Sequence, residues 1–232
     1  MNTAAKKVAQ FGILTALALV LGALDRAIPL AAVLGSSIPG LKLGLANTVL
    51  LYAVYGMSAS GSVLLMLAKV LLSGFLFGSP SAMLYSLAGG VLSLAVMQAV
   101  KHWPKGGMMA ACAVCAVCEG MLLRRYTNPR GPVLWSMIVI AAAGIGALGL
   151  FFLVRKQGDM NVIATSVAGA VAHNIGQILM AAWMLRTPQL LWSYLPFLAG
   201  IGAAVGALTG LIARRVFRAI GWISNRKRSA EE

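Results

Sequence analysis

His173, Asn174 and Gln177 stand within about one helical turn in the apolar string Gly169-Ala170-Val171-Ala172-His173-Asn174-Ile175-Gly176-Gln177. His173 and Gln177 are four residues apart and share a helix face, while Asn174 lies one step round and three before Gln177. An imidazole and two carboxamides supply hydrogen-bond donors and acceptors without a carboxylate. Such a set can orient a polar solute or tie helices together. A second polar string, Pro39-Gly40-Leu41-Lys42-Leu43-Gly44-Leu45-Ala46-Asn47, brings a cation and another carboxamide into equally apolar surroundings. Lys69 sits in Leu67-Ala68-Lys69-Val70-Leu71, and Tyr85, Ser86 and Ser93 punctuate a further apolar run. Polar groups at membrane depth are costly, so they are functional candidates.

Each has a competing structural reading. The patch on Gly169 to Gln177 is either a ligand-binding wall or interhelical fastening, where each bond contributes about 1 kcal/mol. Lys69 costs roughly 3 kcal/mol on insertion scales unless paired or snorkelling. It meets a ligand anion, pairs with Asp25, or reaches for the interface. Lys42 has no second acid nearby, which suggests a phosphate or carboxylate as its counter-charge. Asn47, Tyr85, Ser86 and Ser93, taken singly, are more often satisfied by helix carbonyls than by ligands.

The chain contains only five acids, Asp25, Glu119, Asp159, Glu231 and Glu232. A magnesium site for a diphosphate usually needs clustered carboxylates, and none cluster within the apolar runs. Cys112, Cys115 and Cys118 have a superficially iron–sulfur spacing but lack a fourth thiolate. No catalytic set, metal site or cofactor motif is expected, and no phosphate loop of the Gly-x-x-x-x-Gly-Lys-Ser/Thr kind is present.

The elements that position these groups follow from hydropathy. The 232 residues are 60% hydrophobic and 10% charged, which implies an all-α integral membrane protein. Eight apolar segments are expected: Val8 to Ile28, Leu43 to Tyr55, Ser62 to Phe77, Met83 to Val100, Met108 to Leu123, Val133 to Val154, Val162 to Leu185 and Leu191 to Ala213. The first reads as a retained helix rather than a signal peptide. The second is short for a span of about 20 residues. Short segments of this sort often lie beside ligand cavities. Ala31 to Gly40 reads as a loop long enough to act as a lid.

Net charge is +14, yet the positive residues gather at segment ends, which argues for orientation and headgroup contact rather than nucleic acid. With the N-terminus inside, twelve fall inward: Lys6, Lys7, Lys101, Lys105, Arg155, Lys156, Arg214, Arg215, Arg218, Arg226, Lys227 and Arg228. Six fall outward: Arg26, Lys42, Arg124, Arg125, Arg130 and Arg186. Both termini are therefore expected in the cytoplasm of a multi-pass cell-membrane protein. Gly12-x-x-x-Ala16 and Ala18-x-x-x-Gly22 are small-residue pairs that permit close packing, either internally or onto a separate membrane subunit.

Three groups of residues carry a family resemblance: Pro39 to Asn47; Phe77-Gly78 with Tyr85-Ser86-Leu87-Ala88-Gly89-Gly90-Val91-Leu92-Ser93; and Gly169 to Gln177 with Tyr194-Leu195-Pro196. They resemble the Gx transporter family, also called heptaprenyl diphosphate synthase component I, which is similar to the substrate-binding S-components of energy-coupling-factor vitamin transporters. The resemblance covers about residues 9–100 and 161–213. It implies a six-helix S-component-like core over residues 1–100 and 161–213, a two-helix insertion over 101–160 and a basic tail over 214–232. The family tends to carry Arg near the position of Lys69, so a bidentate anion contact is weakened here.

The two family names imply different functions, and the transporter name fits the buried polar patch and the absence of a catalytic set better. The transporter name implies uptake of a small, anionic or vitamin-like molecule. Lys42, Asn47, Lys69, Tyr85, His173, Asn174 and Gln177 would contact it, and Gly12, Ala16, Ala18 and Gly22 would dock an energy-coupling membrane subunit served by ATPases. The synthase name implies a non-catalytic membrane partner of a prenyl synthase subunit in isoprenoid and menaquinone biosynthesis.

Overall fold

The computed structural model describes residues 3–27, 45–77, 80–102 and 161–219. Helix α1 spans Thr3–Ala27, α2 Asn47–Gly56, α3 Ala59–Phe77, α4 Pro80–His102, α5 Asn161–Met184 and α6 Gln189–Ala219. Every apolar segment expected within these ranges forms a helix. Among the described residues, five helices are long and apolar enough to cross a membrane. The sixth, α2, has 10 residues, about 15 Å of rise against a hydrocarbon thickness of about 30 Å. The expected lid, and residues 103–160 of the expected insertion with its cysteines, lie outside the described residues.

The α6 helix runs six residues past its expected end and carries Arg214, Arg215 and Arg218 into its last turns. Arginine is a good helix former, and cations near a helix C-terminus complement its dipole. The α5 helix closes in a left-handed turn at Arg186 (φ 50°), where the Thr187 amide donates to the Ala182 carbonyl at 3.1 Å.

Helix α5 is the axis of the bundle. In its span 83% of residues are buried, against 28–39% in the other four. It packs along both α4 and α6, and small residues permit the approach. A Cβ on Gly176 would lie 2.7 Å from the Ala88 carbonyl, and one on Gly206 would lie 2.7 Å from the Val167 Cα. Helix α2 is the second internal element and contacts all five other helices. Its Val49, Leu50, Leu51, Ala53 and Val54 are buried with Leu14, Leu65, Met97 and Phe217 in the main apolar cluster.

The chain direction gathers the start of α1, the end of α2, the end of α4 and the end of α6 at one face. Polar contacts tie that face together. Tyr55 and Thr165 hydroxyls lie 2.9 Å apart, Lys101 Nζ donates to the Val54 carbonyl at 2.6 Å, and Phe217 stacks at a tilt against Tyr52 and Tyr55. Lys101 thereby satisfies a carbonyl in the last turn of α2. At the opposite face, Arg26 Nη2 donates to Ser73 Oγ at 2.8 Å, and its guanidinium lies 4.0 Å from the Phe77 ring centroid.

Candidate functional site

Tyr85, His173, Asn174 and Gln177 converge at the α4–α5–α6 seam, and all four are buried. The i,i+4 spacing of His173 and Gln177 yields a contact of 3.1 Å between Gln177 Nε2 and His173 Nε2. A carboxamide nitrogen only donates, so His173 Nε2 accepts and the ring proton is assigned to Nδ1. Asn174 Nδ2 donates to the Leu198 carbonyl at 2.7 Å, which ties α5 to α6. Tyr85 packs in an apolar cluster with Ile178, Ala181 and Leu198.

The seam is closely packed. A Cβ on Gly89 would lie 2.8 Å from both His173 Nδ1 and the His173 carbonyl, and a Cβ on Gly202 would lie 2.8 Å from Asn174 Nδ2. These helices approach because Gly occupies the contact positions. The polar groups on α5 thus meet neighbouring helices directly, while Asn174 Oδ1 accepts no hydrogen bond among the described residues.

The other expected site residues lie elsewhere. Asn47 opens α2 and is buried. Lys69 is half-buried on α3, and both it and Asp25 hold interactions within the structure. Lys42 lies outside the described residues. On α1, Gly12 and Ala16 are exposed, but Ala18 is 1% exposed and belongs to the main core. The first small-residue pair therefore faces outward, and Ala18 packs within this chain.

The sequence reading did not single out a groove of about 670 Å³ between α1, α2 and the end of α6. Ala9, Ile13, Leu14, Leu17 and Leu21 line it along α1. Their spacing places them on one face over about four turns. Val49 and Tyr52 of α2 and Ile212 and Val216 of α6 complete the walls, and Lys6 and Gln10 stand toward the basic face. Its volume suits a small-molecule site, for which about 300–1,000 Å³ is usual. The signal was present in the α1 pattern, where a polar pair precedes an aliphatic stripe. The other two walls come from distant segments.

The family described as heptaprenyl diphosphate synthase component I matches residues 14–124 and 126–216. No curated protein and no solved structure matches the chain. The match takes in most of the chain and at least part of every described helix, so the chain belongs to the heptaprenyl diphosphate synthase component I family.

Proposed function

We propose that this protein is a non-catalytic membrane subunit that works beside a soluble prenyl diphosphate synthase. The groove carries the reading. Its walls are mainly apolar, and its cationic end meets the face where Lys7, Lys101, Arg214, Arg215 and Arg218 gather. An elongating prenyl diphosphate has the same division, with an insoluble hydrocarbon chain and a charged head. Burial of apolar surface favours the chain at roughly 25 cal/mol per Å², and Lys6 offers charge complementarity to the head. The chain has no adjacent acids outside the Glu231-Glu232 pair, so the magnesium–diphosphate chemistry falls to the partner. The same polarity supports a cytoplasmic location for the basic face.

The test is reconstitution of the full chain in lipid nanodiscs with a soluble polyprenyl diphosphate synthase. The two should co-elute, and the product distribution should shift toward longer chains. Filling the groove with Leu17→Trp should reduce that shift while co-elution persists. Absence of co-elution together with an unchanged product distribution overturns the reading.

A second reading is capture of a small anionic or vitamin-like solute by an S-component-like core that works with an energy-coupling membrane subunit and ATPases. It is supported by buried amide atoms that lack hydrogen bonds among the described residues, on Asn47 and Asn174. Saturable binding of a water-soluble compound that is lost in His173→Leu would favour it over the first.

A further inference from the structure

The N-terminus of α2 lies inside the bundle. Ala46 is 2% exposed and Asn47 6% exposed, and no side chain caps this end. At the other end, Gly56 approaches Gln10 near the basic face, and two residues connect it to the start of α3. Ten residues of helix rise about 15 Å, half of a hydrocarbon core of about 30 Å. The first turn of α2 therefore opens near mid-depth.

A helix that begins there presents amide N–H groups and the positive end of its dipole to a low-dielectric interior. The Thr48 amide donates to the Leu45 carbonyl at 3.1 Å. The Asn47 carboxamide is different. Neither its Oδ1 nor its Nδ2 has a hydrogen-bond partner among the described residues. Each Cα–Cβ bond in a helix tilts toward the N-terminus, so this side chain is aimed back over the opening. Buried polar groups in membrane interiors are ordinarily satisfied. A buried carboxamide with an open donor and an open acceptor, at an uncapped helix start, has the chemistry to hold a polar ligand.

Other polar groups share its level. Asn47 lies nine residues from the end of α2, about 14 Å along the helix, and Ser93 lies the same distance from the end of α4. Ser93 is fully buried and its Oγ also lacks a partner among the described residues. Lys69 lies ten residues from the start of α3, about 15 Å along, and supplies positive charge to the same layer. Helix α2 packs against both α3 and α4.

We propose that the first turn of α2, with the Asn47 carboxamide, binds an oxyanion group, carboxylate or phosphate, of a small polar solute. The helix end attracts the anion. Asn47 Nδ2 donates to one of its oxygens, and Oδ1 accepts from a donor on the solute or its bound water. The inference rests on the second reading above, whose anion-binding group it names, and it does not depend on the groove.

The experiment uses the full chain in nanodiscs of zwitterionic lipid, with thermal unfolding followed as inorganic phosphate or acetate replaces chloride at constant ionic strength. A saturable rise in midpoint with phosphate, acetate or both is expected, and the more effective anion identifies the group. Asn47→Leu should weaken the apparent affinity at least tenfold, and Asn47→Asp should abolish the response by charge repulsion. Leu17→Trp, which fills the groove, should leave it unchanged. If Asn47→Leu does not fold, the side-chain amide resonances of wild-type protein labelled with ¹⁵N-asparagine must shift with the same anion dependence. A midpoint indifferent to both anions, or a response equal in wild type and Asn47→Leu, overturns the site. Either result leaves both co-elution with a synthase and His173-dependent binding of a water-soluble compound to be read on their own, so the site and each reading fail separately.

Discussion

At the residue scale, one missing methyl group decides what can sit beside His173. Gly89 faces the imidazole at a distance that admits no Cβ without movement, and the obstructing atoms include the His173 backbone carbonyl. Gly89→Val should therefore separate α4 from α5. Overpacking of this kind costs about 1–3 kcal/mol, read as a lower midpoint in thermal or detergent-induced unfolding. Gly12→Ala is the matched control. Nothing stands within 4 Å of its Cβ position, so stability should stay within about 0.5 kcal/mol of wild type. Asn174→Leu tests the fastening to Leu198. It removes one interhelical hydrogen bond, and the expected loss is about 1 kcal/mol. A much larger effect would give Asn174 a role beyond that bond. The i,i+4 relation of His173 and Gln177 was legible in the sequence because helix periodicity alone imposes it. The partner of Asn174 was not, since Leu198 lies on another helix across a turn.

At the element scale, two helices depart from the plain spanning pattern. The first is α6, which meets α5 through Gly202, Gly206 and Gly210, spaced four apart on one face. Gly206→Ile would drive a branched side chain into the Val167 backbone. A loss of about 1–3 kcal/mol lowers the midpoint of a chain this size by several degrees, and calorimetry or fluorescence unfolding in nanodiscs should detect it. The second is α2, recognised from the sequence as short but not as central. Its length is local information. Its contact with all five other helices is not, because each of those faces comes from a different stretch of chain. The bond from Lys101 to the Val54 carbonyl predicts that Lys101→Met frays the C-terminal turn of α2. Faster amide exchange at Ala53 to Gly56, without change in α5, would report it.

At the scale of the whole molecule, the described helices place the start of α1 and the end of α6 at one face, together with most of the described positive charge. Reporter fusions before Lys6 and after Ala219 should therefore give the same signal. Opposite signals from the two fusions would break the fold as described. The groove belongs to this scale too. It uses residues 6–21, 48–52 and 212–216, which the chain brings together only when α1, α2 and α6 close on each other. Asn47 is equally a product of closure. Any Asn at the start of a helix can be solvated, and only the surrounding bundle strips its partners away.

The sequence by itself determined that this chain is helical and built for a bilayer, where the described helices lie to within a few residues, and that His173 and Gln177 share one face. Those properties depend on apolar runs long enough to cross hydrocarbon and on the 3.6-residue period, both of which are local. The tertiary structure alone decided that α5 is the buried axis, that Ala18 turns inward while Gly12 does not, and that a groove opens beside Lys6. Each depends on which helix stands next to which. That choice is made by close packing between glycine-bearing faces far apart in sequence, and hydropathy is indifferent to it.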